Sequence, residues 1–214
     1  MSTEISNGVK DLVKLFKLIE LTRAQTQYGY LLHGIQKSQL SNLAEHHYLV
    51  TFMGWQLATK LKAIGAQIDV QKVMEFCLIH DLGELMGGDI SGPYAKVNKK
   101  ARKFAKAFEE ENQKYLAKFF GSDEKLFKKN AKEILDAKSD EALVAKVADY
   151  IECTSYMVYV NQFTQQAKKF NSEKITGYIR KIKDKTAKKY LSDFLNEWIK
   201  NADKVSYIET LNKV

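Results

Sequence analysis

The 214-residue chain contains four histidines, His33, His46, His47 and His80. His46 and His47 adjoin at the start of a helical pattern. Neighbours on a helix point about 100° apart, so at most one of them readily faces a given site. His46 shares its face with Leu49, Val50 and Met53, the core side, whereas His47 shares its own with Thr51 and Gly54. The internal candidate is therefore His46, either as a ligand or as a hydrogen-bonded core residue. His80-Asp81 closes the most apolar stretch of the chain. Burying an imidazole and a carboxylate costs free energy unless they are paired or coordinated. A salt-linked partner or a divalent cation would serve. Asp149 lies mid-helix with Ala142, Ala145, Cys153 and Tyr156 on its side. A carboxylate on so small and apolar a face binds something, a buried basic residue or an ion. His33 stands in a polar stretch with nothing to distinguish it.

Taken together, His46, His80, Asp81 and Asp149 supply two imidazoles and two carboxylates from three separate helices. Such a set suits one divalent transition metal, Mn, Co, Fe, Ni or Zn, and leaves positions for water and substrate. That arrangement is the condition for metal-assisted hydrolysis of a phosphoester. Glu84, just beyond Asp81, and Asp89, in the run Met86-Gly87-Gly88-Asp89, are placed to move protons. The glycines also let backbone N–H groups approach an anion; an ordinary turn with a solvated Asp is the alternative reading.

The elements that must carry these residues are helical. The sole proline, Pro93, and four of the 11 glycines fall in one loop between residues 83 and 93, and breakers are sparse elsewhere, which favours long helices. Leu12, Leu15, Phe16, Ile19 and Leu21 mark a first helix. His46, Leu49, Val50, Met53, Leu57 and Leu61 trace one face of a second. Val70 to Asp81 reads as a buried helix, because no second strand-like run exists to pair with it. Further helices are expected over 101–120 and 141–160, with a short helix and turns over 122–140. One or two amphipathic helices at the end carry a stripe of Tyr190, Leu191, Phe194, Leu195, Trp198 and Ile199. The expectation is an all-α single domain over 1–214, with the chemistry in about 10–160 and residues 161–214 packing on it.

Composition narrows the classes. Hydrophobic residues form 45% and charged residues 28% of the 24.5 kDa chain, enough to build a core rather than remain disordered. The apolar runs fall far short of about 18 residues, so no membrane-spanning helix is expected. The N-terminus lacks a basic-then-apolar leader. Cys77 and Cys153 lie within apolar helical patterns with no disulfide spacing. A cytoplasmic setting is expected. The net charge of +8 and pI near 9.2 attract phosphates of nucleotides or nucleic acids. The lysines fall in Glu-containing helical stretches, however, and read as a solvated face. Lys99-Lys100, Arg102-Lys103 and Lys168-Lys169 are the case for a nucleic-acid binder. No nucleic-acid module accompanies them, and the aromatics lie on core-facing stripes instead.

The order His … His-Asp … Asp resembles that of HD-domain metal-dependent phosphohydrolases. Ala44-Glu45-His46 resembles the family's first motif. His80-Asp81-Leu82-Gly83-Glu84, followed by Gly88-Asp89-Ile90 and Pro93, is similar to the corresponding stretch of the 5′-nucleotidase branch. Residues 141–149, EALVAKVAD, resemble its Glu-Ala-x-hydrophobic-Val-Lys-x-Ala-Asp helix. Upstream, Gly29 to Ile35 looks like that branch's Gly-Trp-Leu-Leu-Arg-Gly-Ile. The resemblance implies a compact helical fold and metal ligands at His46, His80, Asp81 and Asp149. It further implies Glu84 and Asp89 as the residues handling the attacking water and the leaving group. The implied reaction is hydrolysis of (deoxy)nucleoside 5′-monophosphates, by a homodimer.

The chain departs from that branch around the substrate. Gln27 stands where the branch has Arg, Tyr30 replaces Trp, and His33 replaces the Arg before Gly-Ile. Leu40-Ser41-Asn42 lacks the usual Pro-Glu-Ser, and the loop before Ala44 is about two residues longer. Gln27 and Tyr30 are therefore the substrate-binding candidates, Tyr30 by packing against sugar or base. Arg23 and Lys96 are candidates to replace the missing phosphate contact. Hydrolysis of another phosphate or pyrophosphate on the same scaffold is the competing expectation.

Overall fold

A computed structural model describes residues 2–202 and 207–212. The expected single domain over 1–214 thus includes positions (1, 203–206 and 213–214) that lie outside the described residues. Among the described residues there is no β-sheet; Thr26 and Asn42 form one isolated antiparallel bridge. The described residues form ten α-helices in order: α1 (Ser2–Ile19), α2 (Leu43–Ala63), α3 (Val70–Ile79), α4 (Gly92–Val97), α5 (Lys99–Ala117), α6 (Glu124–Asp136), α7 (Asp140–Tyr159), α8 (Gln165–Lys181), α9 (Lys185–Asn201) and α10 (Tyr207–Leu211). None is long and apolar enough to cross a membrane.

Local sequence sets the helix starts. Asn42 caps α2 by accepting from the Glu45 N–H, while Glu45 returns a bond to the Asn42 N–H, a reciprocal cap that satisfies two otherwise unpaired donors. Asp69, Asn98, Ser139, Thr164 and Asp184 cap α3, α5, α7, α8 and α9 in the one-sided form. These caps fix where α3 and α7 begin, and hence where His80 and Asp149 fall.

The main core joins α2, α3 and α7 to α8 and α9 through Val50, Phe76, Leu143, Ile175 and Leu191, all fully buried. The C-terminal helices therefore complete the core that holds the site. Gly54 permits the closest approach in it. A Cβ there would lie 2.5 Å from Cys77 Sγ and 3.4 Å from Val73 Cγ1, so only glycine lets α2 lie this tightly on α3.

Several expected boundaries shift. The segment over 122–140 forms the 13-residue α6, which buries Phe127, Ala131 and Ile134; it is a full helix because that face seals a second apolar cluster with Leu85 and Leu116. Leu12 and Phe16 are exposed, and α1 packs through Leu15, Leu18 and Ile19 instead. Leu21 lies past the helix in a 3₁₀ turn.

Candidate metal centre and active site

Three helices deliver the candidate ligands to one point. His46 lies in the first turns of α2, His80 immediately follows α3, and Asp149 is in the middle of α7. His46 Nε2 is 3.1 Å from His80 Nε2, 3.6 Å from Asp81 Oδ2 and 3.5 Å from Asp149 Oδ1. His80 Nε2 is 3.3 Å from Asp81 Oδ2 and 3.7 Å from Asp149 Oδ1. A zinc-sized ion with ligand bonds of about 2.1 Å spaces neighbouring ligand atoms about 3.0–3.5 Å apart, so these separations are close to the edges of a coordination shell.

Both rings are oriented from behind. The Nδ1 of His46 meets Glu152 Oε2 at 2.6 Å, and the Nδ1 of His80 donates to the Cys77 carbonyl at 2.8 Å. That carbonyl is free because it lies at the end of α3. With each neutral ring's proton on Nδ1, both Nε2 lone pairs face each other and two carboxylate oxygens. Four lone-pair donors converging in a buried space require a positive charge. The histidines carry the same signature. Burial opposes the charge of His46, but Asp149, Asp81 and Glu152 outweigh it and raise its pKa well above the usual value. Burial opposes the charge of His80 too, and Asp81 and Asp149 again outweigh it. A divalent cation fits this donor set.

Glu152, which sequence reasoning passed over, and Lys146, which it quoted only within the 141–149 match, both contact the candidate ligands. Lys146 Nζ is 3.3 Å from Asp149 Oδ2 and 4.0 Å from Asp81 Oδ1. Burial disfavours its charge, but Asp149 and Asp81 hold the proton on it. It ties the outer oxygens of both aspartates and leaves the inner ones to the histidines. Burial likewise opposes the Asp149 carboxylate, and Lys146 together with His46 and His80 keeps it ionised far below the usual range. Glu152 is buried one turn beyond Ala148. The available signal was its position three residues after Asp149, on the adjoining part of one helix face.

His46 is the member of the adjacent pair that faces the cluster, as its helical position implied, but His47 does not point to solvent. It is buried too, with its ring centroid 5.0 Å from that of His80. Burial, aided by His80, lowers its pKa to about 3. It packs beside the cluster as a neutral ring, because α2 is enclosed over more than one face here.

Glu84 and Asp89 border a cavity of about 160 Å³ that opens on Asp81 and Asp149. Asp89 Oδ2 accepts the Gly29 N–H at 2.5 Å. A Cβ on Gly29 would lie 2.9 Å from Asp89 Oδ1, so glycine is what allows that approach. Burial, then Asp81 and Asp89, push Glu84 well above the usual carboxyl range. Burial raises Asp89 to about 6 even though the Gly29 N–H favours its charge. Glu109 is a third such acid, raised to about 7 by burial and by Asp81.

Gln27 and Tyr30 line the same cavity. Tyr30 is buried with its ring 4.9 Å from Tyr156, so it belongs to a small apolar cluster as much as to the cavity wall. Gln27 Oε1 is buried without a hydrogen-bond partner among the described residues. Arg23 pairs with Glu20 at 2.7 Å, is exposed and does not border the cavity. Lys96 lies outside this cavity and pairs with Glu173 at 3.4 Å. His33 borders the cavity; its polar surroundings did not distinguish it, but it stands where the resembling branch has an Arg near the substrate.

A helical domain that gathers His, His-Asp and Asp from three helices at one buried point defines a distinct class of hydrolase. The chain belongs to the HD domain family, whose model matches residues 23–193. The 5′-deoxynucleotidase HDDC2 of Dictyostelium discoideum is 27% identical over 96 residues, 44% of this chain and 49% of the relative. The chain thus spans about half the length of that curated relative. Two solved structures share the fold. The PH0347 protein from Pyrococcus horikoshii OT3 has a TM-score of 0.64 at 21% identity, covering 91% of this chain and 99% of that one. A conserved hypothetical protein from Pyrococcus furiosus has a TM-score of 0.65 at 22% identity, covering 90% and 99%.

Proposed function

We propose that the protein is a divalent-metal-dependent phosphomonoesterase that releases phosphate from (deoxy)nucleoside 5′-monophosphates. The observation that carries this reading is the convergence of two imidazole lone pairs and two carboxylates beside a cavity bordered by two acids of raised pKa. His46, His80, Asp81 and Asp149 would hold the ion. When bound, it supplies charge stabilisation for the phosphoryl oxygens and acidifies water. The similarity to a 5′-deoxynucleotidase supports the substrate class.

In this reading a cation bound beside Asp81 would offset the negative charge that raises Glu84, and Glu84, as the carboxylate, takes a proton from the attacking water as its oxygen bonds to phosphorus. The bond from phosphorus to O5′ breaks, and Asp89 gives that oxygen a proton, leaving nucleoside and inorganic phosphate. Asp89 is held for the task by the Gly29 N–H. Gln27, a neutral amide with a spare acceptor, suits a sugar hydroxyl better than a phosphate. Tyr30 supplies an apolar wall without reading any one base, so discrimination among bases is weak.

The same resemblance implies a homodimer. Tyr48, Phe52 and Trp55 are exposed on one face of α2 and give a second copy an apolar surface; light scattering in solution reads the outcome. The catalytic reading is tested by phosphate release over nucleoside 5′- and 3′-monophosphates, sugar phosphates and pyrophosphate with each divalent metal. Release from several deoxynucleoside 5′-monophosphates, and much less from 3′-monophosphates, is the expected result. Equal rates on 5′- and 3′-phosphates, or no nucleotide turnover with any metal, would refute it.

A further inference from the structure

Two cavities meet at the cluster, and a nucleoside monophosphate accounts for only one of them. The second has a volume of about 300 Å³ and shares Asp81, Glu84, Asp149 and Tyr150 with the first. It opens instead between Lys96 of α4, Arg102 of α5 and Lys174 of α8. Two consecutive helices and a third remote in sequence thus border one space with cations.

Those charges are poorly neutralised. Among the described residues, neither Arg102 nor Lys174 has a carboxylate within ion-pair distance, and Lys96 has only the exposed Glu173. Lys96 and Lys174 both lie over the Phe170 ring, at 5.7 and 5.5 Å. Asp81, Glu84, Glu109 and Asp149 also border this cavity; the aspartates are answered by Lys146 and the histidines, and among the described residues none of the four carboxylates lies within ion-pair distance of Arg102 or Lys174. Burial, followed by Arg102, Lys96 and Lys181, lowers the Lys174 pKa, as mutual repulsion among uncompensated cations requires. An anion placed among them removes that repulsion.

We infer that the second cavity binds a second phosphoryl group of the substrate, so that a nucleoside 5′-diphosphate is held more tightly than a 5′-monophosphate. The position of the cavity selects the linkage. A 3′-phosphate hangs from the sugar and stays in the first cavity. A group beyond the 5′-phosphorus, on the side away from the nucleoside, reaches the second. The inference rests on the proposed reading that the nucleoside fills the first cavity and its phosphoryl group sits at the cluster.

The test is calorimetric binding to metal-loaded protein. Pyrophosphate and orthophosphate are titrated into the wild type, and deoxyadenosine 5′-diphosphate and 5′-monophosphate into Glu84→Gln to suppress turnover. Two charge-assisted contacts should give the two-phosphate probes an advantage of about tenfold or more. The same titrations in Arg102→Gln/Lys174→Gln should bring that advantage close to one. Arg102→Lys should retain most of it, and in wild type it should shrink as salt rises. Equal affinity for one- and two-phosphate probes, or an advantage that survives in the double variant, overturns the inference. If pyrophosphate shows the charge-dependent advantage and neither nucleotide binds, the anion subsite stands and the nucleoside reading falls.

Discussion

Glu152 is the sharpest handle on how the cluster is built. Its Oε2 lies 2.6 Å from His46 Nδ1, and the residue is only 1% exposed. A hydrogen bond to a charged acceptor contributes about 1.5–3 kcal/mol and a neutral one about 0.5–1.5 kcal/mol. Replacing Glu152 with Gln preserves an acceptor for the Nδ1 proton and removes the charge. The cost should be about 1–1.5 kcal/mol, or roughly tenfold in metal affinity. Glu152→Ala removes the acceptor as well. The His46 proton is then free to move to Nε2 and occupy the lone pair that faces the other ligands, so the loss should approach a hundredfold, the upper end for such supporting partners. Metal dissociation constants from competition with a chromogenic chelator, with circular dichroism as a control for folding, read both values. An order of wild type, Gln, Ala in falling affinity is expected. Wild-type affinity in Glu152→Ala would refute the idea that this carboxylate sets the His46 tautomer.

Other outcomes follow from neighbouring residues. Glu84→Gln keeps the shape of the side chain and cannot accept a proton, so it should retain metal and lose turnover by about 10²–10⁴-fold; near-normal kcat would reduce Glu84 to a structural residue. Glu109, raised to about 7 by burial and Asp81, binds its proton more tightly folded than unfolded. The stability this contributes in the metal-free protein is complete below about 4.5 and is lost as pH rises through 7. Glu109→Gln should flatten the fall in Tm over that window, and an unchanged profile would contradict the assignment. Gly54→Ala forces a Cβ onto Cys77 Sγ and should cost about 1–3 kcal/mol, read as a Tm drop of about 2–4 °C per kcal/mol. Adding Cys77→Ala should recover part of that loss, and strict additivity of the two would show that the contact is not what limits the α2–α3 approach.

Much of the helical layout was legible because α2, α3 and α7 keep apolar residues at helical spacing and start at side-chain caps. The residues that converge on the cluster were legible for a related reason: imidazole and carboxylate groups within such patterns demand partners. What stayed hidden depended on neighbours remote in sequence. Lys146 entered only as one position of the 141–149 match, and its tie to both aspartates appeared once α3 laid Asp81 beside it. Glu152 gained meaning only from the rotation of α2 that points His46 Nδ1 at it. Arg102 and Lys174 lie 72 positions apart in the sequence and border one cavity only through tertiary packing. The exposure of Leu12 and Phe16 on α1 could not be read from periodicity, which locates an apolar face without showing what covers it.

The claim on which everything else depends is that His46, His80, Asp81 and Asp149 hold one divalent ion. Asp149 is the candidate ligand on the helix most remote in sequence from the His-Asp pair, and it touches both histidines and Lys146. Elemental analysis of the purified wild type and of Asp149→Ala, alongside phosphate release, measures this directly. The account predicts about one equivalent of transition metal per wild-type chain, and joint loss of metal and activity in Asp149→Ala. Full metal occupancy in Asp149→Ala would contradict it.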